Sequence, residues 1–227
     1  MCTESTMRLL DVKSSPFSSR CRMVIYAKNR GDTDEVDIIE PPGGLGSDSY
    51  KAFHPFVKIP TLDLGDGEML LESDVICEYL DDVLAGPPLK PTDARQLAHM
   101  RLIARIADLY VMAPMMPLFK QLDPSQRDNG IVERELNTMM LGFDKLEFYL
   151  KGGPYASGGC LTLSDCTLVP TLTLTLEFLP RFDQASPLSD RPKLKKYWDY
   201  IAHDPIASRV IMEVKNKLAE YRAKKNE

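Results

Sequence analysis

Three short segments carry residue types at spacings that could do chemistry. In Ser14-Ser15-Pro16-Phe17 a strand-like run, Met7 to Val12, breaks and a helix-like run, Ser18 to Lys28, follows. A hydroxyl at such a junction lies near the positive end of the helix dipole. A thiol held there, with an ordinary pKa of about 8.5, would ionise more readily, because N–H dipoles and a hydroxyl donor favour the thiolate. Ser14, Ser15 or Ser18 would also serve as a plain helix cap. In Lys58-Ile59-Pro60-Thr61 a proline enters a strand-like run although it lacks a ladder donor. A cis Ile59-Pro60 bond would turn the Ile59 backbone outward toward a peptide ligand, and a trans proline at a sheet edge is the alternative. In Leu71-Glu72-Ser73-Asp74 a helix opens, and its first N–H groups suit a carboxylate while Glu72 suits an ammonium. Ser73 as an ordinary cap is the competing reading.

The elements around these segments come in a definite order. Val36 to Ile39 reads as a second strand, and Asp48 to Phe53 as a short helical piece after the loop Pro41-Pro42-Gly43-Gly44-Leu45-Gly46. Ile59 to Leu64 and Glu68 to Leu71 read as strands joined by the hairpin turn Gly65-Asp66-Gly67. A helix from Ser73 through Leu80 follows. Asn29-Arg30-Gly31 should end the first helix. The order is β-α-β-(short α)-β-β-α. Ala85 to Pro91, with three prolines, is a stiff linker. Beyond it the pattern is helical: Thr92 to Met112, disrupted or ended by Pro114 and Pro117, then Ile131 to Leu150, Thr162 to Leu179, Arg191 to His203 and Pro205 to Arg222. The expected division is residues 1–84, linker 85–91, and an all-helical domain 92–227.

Composition removes several classes. The chain has 227 residues, 44% hydrophobic and 27% charged, as in an ordinary globular protein. A net charge of −5 argues against bulk binding of nucleic acid or anionic lipid. Five scattered cysteines and three histidines give no metal-ligand spacing, and a reducing compartment is expected. The first residues lack a basic region followed by an apolar run. Leu161 to Leu179, the longest apolar stretch, is too polar to span a bilayer.

In combination the three segments resemble the glutathione transferase superfamily over essentially the whole chain. The first part resembles its thioredoxin-like α/β domain, and the remainder its all-α domain. Ser15-Pro16-Phe17 followed by Arg20-Cys21-Arg22 is similar to the tau-class start and to the omega-class Cys-Pro-Phe with serine for cysteine. The pair Ser14-Ser15 is similar to the zeta class. His54-Pro55-Phe56-Val57-Lys58-Ile59-Pro60 resembles the Asn-Pro…Val/Ile-Pro stretch, with histidine where asparagine is usual, and Leu71-Glu72-Ser73 resembles the Glu-Ser motif.

The resemblance implies a role for each residue. Ser15, with Ser14 beside it, would hold the glutathione sulfur. Lys58 would contact the glycine carboxylate, and Ile59, before Pro60, would pair its backbone with the cysteinyl unit. Glu72 and Ser73 would hold the γ-glutamyl end. Phe17 would border the pocket for a hydrophobic electrophile. Tyr110, Met112, Met115, Met116 and Phe119 are candidates for that pocket, since methionines and aromatics adapt to varied apolar ligands, and core packing is their alternative. Thr162-Leu163-Ser164-Asp165 is a capping box assigned to folding, and Pro170 should kink the helix that follows. A homodimeric cytoplasmic enzyme with glutathione as co-substrate and no metal is expected. Glutathione-dependent isomerisation, aryl-ether cleavage or dehalogenation are alternatives to conjugation, as is a non-catalytic binding protein. Disulfide exchange is disfavoured because a serine forms no mixed disulfide.

Overall fold

The computed structural model describes residues 6–28, 35–51 and 53–225. The expected helix stop at Asn29-Arg30-Gly31 lies outside them. The chain divides into two compact units, Met1–Leu89 with Arg209–Glu227, and Lys90–Ser208.

In the first unit the order is β1 (Met7–Leu10), α1 (Pro16–Lys28), β2 (Val36–Ile39), α2 (Asp48–Lys51), β3 (Thr61–Asp63), β4 (Met69–Leu71) and α3 (Ser73–Val83). The sheet order is β2-β1-β3-β4. β1 runs parallel to β2 and antiparallel to β3, and β3 is antiparallel to β4. β2 has its expected bounds and the other three strands are shorter than their apolar runs suggest, but the hairpin and the α/β order hold. Leu9, Leu10 and Leu62 of the sheet and Val24, Ile76 and Leu80 of α1 and α3 are buried in the core.

α1 starts at Pro16, two residues before its expected start. Proline suits a first helical position, because its missing N–H would be unsatisfied there anyway. Ser73 is not the cap of α3 but its first residue. The cap position is Glu72, which makes no side-chain capping hydrogen bond.

The linker is stitched down. Lys28 Nζ donates to the Asp81 carboxylate at 2.9 Å and to the carbonyls of Asp81 and Pro87, while the Leu89 N–H donates to the same carboxylate. Gly86 sits at φ 124° against Lys28, where a Cβ would lie 2.5 Å from the Lys28 carbonyl oxygen.

The second unit is helical: α4 (Ala94–Ile106), a π-helical turn at Ala107–Met112, α5 (Ala113–Phe119), α6 (Asn129–Tyr149), α7 (Leu163–Phe178), α8 (Pro192–Ile201) and the start of α9 (Pro205–Lys225). Pro114 and Pro117 do not end the first long helix. The path runs on to Phe119, with Pro117 inside α5. The wider π turn lies just before Pro114, where a proline ring would otherwise crowd the carbonyl of the preceding turn.

By length and composition Ala94–Phe119 could cross a membrane, and 44% of its most apolar window is buried inside the protein. α7 is buried on all sides from Leu163 to Thr175. It tolerates its threonines because Thr167, Thr171, Thr173 and Thr175 each donate to the carbonyl four residues back. Pro170 lies within it.

Candidate active site

The sheet register gathers the three chemical segments. Leu10 pairs with Thr61, and Thr61 pairs with Leu71, so these residues form one row across β1, β3 and β4. The chain reaches Ser15 just after Leu10, leaves Pro60 just before Thr61, and enters Glu72 just after Leu71. All three segments therefore emerge at the same end of the sheet.

Ser15 is the cap of α1. Its Oγ accepts the Ser18 N–H at 3.3 Å, and its carbonyl accepts the Ser19 N–H at 2.9 Å and the Ser19 hydroxyl at 2.7 Å. The capping reading of this serine is thus correct. Capping uses an oxygen lone pair, however, so the Ser15 O–H proton can still be donated to a ligand. Ser14 and Ser15 are half-buried, whereas Ser18 is buried, with its Oγ 3.4 Å from the Val12 N–H.

α1 and α3 start side by side. The Cys21 thiol lies 3.6 Å from the Phe17 carbonyl and 3.6 Å from the Ser73 carbonyl, with the Cys77 sulfur 3.8 Å away. Burial and the neighbouring Cys21 push the Cys77 pKa well up, so that thiol stays protonated. Arg20, buried, pairs with Asp74 at 2.8 Å and lies 5.2 Å from the centre of the half-buried Phe17 ring.

Glu72 is exposed and sits at φ 67°, a conformation that costs a non-glycine residue about 1 kcal/mol or more. Its carboxylate is not turned back onto α3, and the helix opens at the buried Ser73.

The Ile59-Pro60 bond is cis. Lys58 is exposed, Ile59 half-buried and Pro60 buried. Sequence reasoning missed the two residues that fix this loop. The buried Tyr50 hydroxyl bonds the Lys58 carbonyl and lies 3.1 Å from Thr61 Oγ1. Burial raises the Tyr50 pKa, which keeps the phenol a donor. His54 is 1% exposed, and its Nδ1 accepts the Phe56 N–H at 3.1 Å. Burial lowers its pKa, so the ring is neutral, as an acceptor nitrogen must be. A carboxamide oxygen at this position could accept in the same way, which accounts for histidine where asparagine is usual. The signal was available in principle: each is a polar ring flanking the Pro55–Pro60 loop.

The five residues expected around an electrophile pocket lie in the second unit and differ from one another. Met112 and Met115 are each 1% exposed and belong to that unit's core. Phe119 is half-buried, edge-on to Phe178 at 5.0 Å. Tyr110 and Met116 are exposed. Tyr110 lines a groove of about 470 Å³ with Leu102, Leu141, Phe148 and Tyr149, and the Lys145 ammonium lies 5.2 Å from the centre of its ring.

Comparison with known proteins identifies the family. The glutathione S-transferase N-terminal domain matches residues 14–83, and the C-terminal domain of the same family matches residues 106–205. The chain belongs to the glutathione transferase superfamily. Membership makes it a glutathione-dependent transferase or a related enzyme, with a thioredoxin-like domain and an all-α domain.

A mouse (Mus musculus) glutathione S-transferase omega-2 is 26% identical over 206 residues, covering 89% of this chain and 77% of the relative. A maleylpyruvate isomerase from Ralstonia is 31% identical over 142 residues, covering 58% and 65%. Among solved structures, a glutathione S-transferase from Methylobacillus flagellatus with glutathione bound superposes with a TM-score of 0.75 at 23% identity, covering 90% of this chain and 98% of that one. A trimeric glutathione transferase from Leishmania superposes at 0.77 with 20% identity. It matches 98% of this chain, which spans only 49% of that protein. Among the described residues no group of three His, Cys, Asp or Glu side chains could hold a metal.

Proposed function

We propose that the chain activates glutathione as a thiolate and directs it at a hydrophobic electrophile, as a cytoplasmic homodimer. The observation that supports this best is the shared row Leu10–Thr61–Leu71, which brings Ser15, Lys58-Ile59-Pro60 and Glu72-Ser73 to one end of the sheet. Each segment suits a different part of the tripeptide. The Ser15 O–H, at the positive end of α1, donates to the sulfur and lowers its pKa. The Lys58 ammonium takes the glycine carboxylate, and the Ile59 backbone pairs with the cysteinyl unit. The α3 start takes the α-carboxylate of the γ-glutamyl end, and the Glu72 carboxylate takes its ammonium. Ser14 stands by as a second hydroxyl, and Phe17 borders the electrophile. Rate enhancement then comes from a stabilised nucleophile held near its target, without a covalent enzyme intermediate.

Ser15→Ala tests the role. Conjugation of a chromogenic aryl halide should fall about a hundredfold, the scale of removing one preorganised donor. Calorimetry should still show glutathione binding. Turnover unchanged with glutathione bound would remove Ser15 from the role.

The Ralstonia isomerase relative favours a second reading, in which glutathione is returned unchanged after isomerising a double bond. Recording glutathione consumed per turnover across electrophiles, isomerisable acids and aryl ethers separates the two. Disulfide exchange is a third outcome, and Ser15 speaks against it despite the omega-class relatives.

A further inference from the structure

The loop that carries Ser15 is held by one buried side chain, and that side chain is held by the last helix. Arg22 is fully buried. Its Nη1 pairs with the Asp11 carboxylate, and its Nη2 donates to the Lys13 carbonyl and to Ser19 Oγ, each at 2.9 Å. The Ser19 hydroxyl in turn donates to the Ser15 carbonyl. One guanidinium therefore grips the β1–α1 loop at Asp11, Lys13 and, through Ser19, at Ser15. Its Nε–H donates to the Glu213 carboxylate of α9 at 2.9 Å.

Glu213 is itself fixed. It accepts the Tyr26 hydroxyl at 2.9 Å, and Arg209 lies at 3.4 Å with its guanidinium 3.6 Å from the centre of the Tyr26 ring. Burial, reinforced by Glu213, pushes the Tyr26 pKa up to about 12, so the phenol remains a donor.

Stability alone is a poor account of this cluster, because a buried ion pair gains little over a well-packed apolar pair. What the guanidinium adds is a rigid planar fork with fixed donor directions. Here that fork is aimed at the Asp11 carboxylate, the Lys13 carbonyl and the Ser19 hydroxyl. We propose that Arg22 and Glu213 are positioning residues for the Ser15 hydroxyl, so that α9 sets the geometry of thiol activation. This rests on the reading that Ser15 donates to the glutathione sulfur.

The test is Glu213→Gln, which keeps size and an acceptor but removes the charge, made alone and combined with Ser15→Ala. The readouts are the pKa of enzyme-bound glutathione, from the ultraviolet absorbance of the thiolate against pH, and kcat and KM for glutathione. In Glu213→Gln the thiol pKa should rise by about half a unit to one unit. The kcat should fall about five- to tenfold, the size expected of a sub-ångström misplacement, with KM changed less than about twofold. In the Ser15→Ala background Glu213→Gln should change neither quantity further.

Should Glu213→Gln fail to fold, Tyr26→Phe removes one hold on Glu213 and should give the same pattern at about a twofold kcat loss. The inference is overturned if the thiol pKa does not move in the variant that folds. It is also overturned if the kcat loss is the same with and without Ser15, the mark of a merely structural role. If Ser15→Ala alone leaves the thiol pKa unchanged, the Ser15 reading fails and takes this inference with it. If Ser15→Ala shifts the pKa and the Glu213 and Tyr26 variants do not, only the positioning claim fails.

Discussion

Helices α3 and α7 begin in opposite ways. At α7 the capping is complete and buried. Thr162 and Asp165 form a reciprocal box, and the Asp165 carboxylate accepts the N–H groups of Ala156 and Thr162 at 2.8 Å each and the Thr162 hydroxyl at 3.0 Å. At α3 the cap residue Glu72 is exposed, sits at φ 67°, and makes no side-chain capping bond. One helix start satisfies its own polar groups, and the other is built at some backbone cost with the Glu72 side chain left exposed and uncommitted to the cap. The first arrangement serves folding, and the second suits a ligand. α1 stands between them, since Ser15 caps the helix through its oxygen and can still donate its proton.

That contrast can be broken experimentally, and the largest effect is expected at α7. Asp165→Ala leaves two buried N–H groups without their acceptor and should cost about 3 kcal/mol in denaturant unfolding. The glutathione KM of the remaining folded protein should not change. A KM shift would mean that α7 also serves the ligand.

A second effect at the same carboxylate is electrostatic. Burial raises the Asp165 pKa to about 6, against the hydrogen bonds from Ala156 and Thr162 that lower it. A carboxyl whose pKa is higher folded than unfolded binds more protons in the native state. Its contribution to stability is therefore greatest below about pH 4 and is lost as pH rises to about 6. The total is about 3 kcal/mol, because the pKa stands about two units above its ordinary value and each unit is worth about 1.36 kcal/mol. Asp165→Asn should flatten the stability–pH curve in that window. A curve of unchanged slope would remove Asp165 as its source.

At α3 the signs reverse. Glu72→Gly relieves the positive φ and should raise the unfolding free energy by about 0.5–1 kcal/mol. The same change should raise the glutathione KM about tenfold, the scale of one lost charge-assisted contact. A variant that is both more stable and unchanged in KM would take Glu72 out of the ligand site. Loss of stability would show that the cap conformation is not strained.

Much of this was legible in the sequence, for reasons that differ by residue. The β-α-β-β-α order follows from short apolar runs separated by Ser14-Ser15-Pro16 and Gly65-Asp66-Gly67, and these local signals survive tertiary packing. The cap at α3 was misassigned by one residue because nothing in Leu71-Glu72-Ser73 announces a positive φ at a glutamate. Pro114 and Pro117 read as disrupting or ending the helix, and the choice between the two was not legible, because the π turn that precedes Pro114 has no simple sequence signature. The serines at α1 were read as either caps or donors, and the geometry allows Ser15 to be both. Met112 and Met115 could not be told from pocket residues by type, since a methionine suits a core as well as a ligand. Tyr50 and His54 act on a loop a few residues away but through hydroxyl and ring-nitrogen directions that spacing does not encode. Arg22 and Glu213 meet across 191 residues, beyond any local pattern.

That separation matters while the chain is being made. Chains emerge amino end first, and early domains usually begin to fold before later ones exist. Here the first unit cannot be finished in that way. Arg22 has Asp11 within reach from the outset, but Glu213 arrives only after the whole second unit has been made. Until then the loop bearing Ser15 lacks its final anchor. The nascent first unit is thus a workpiece that its own last helix completes.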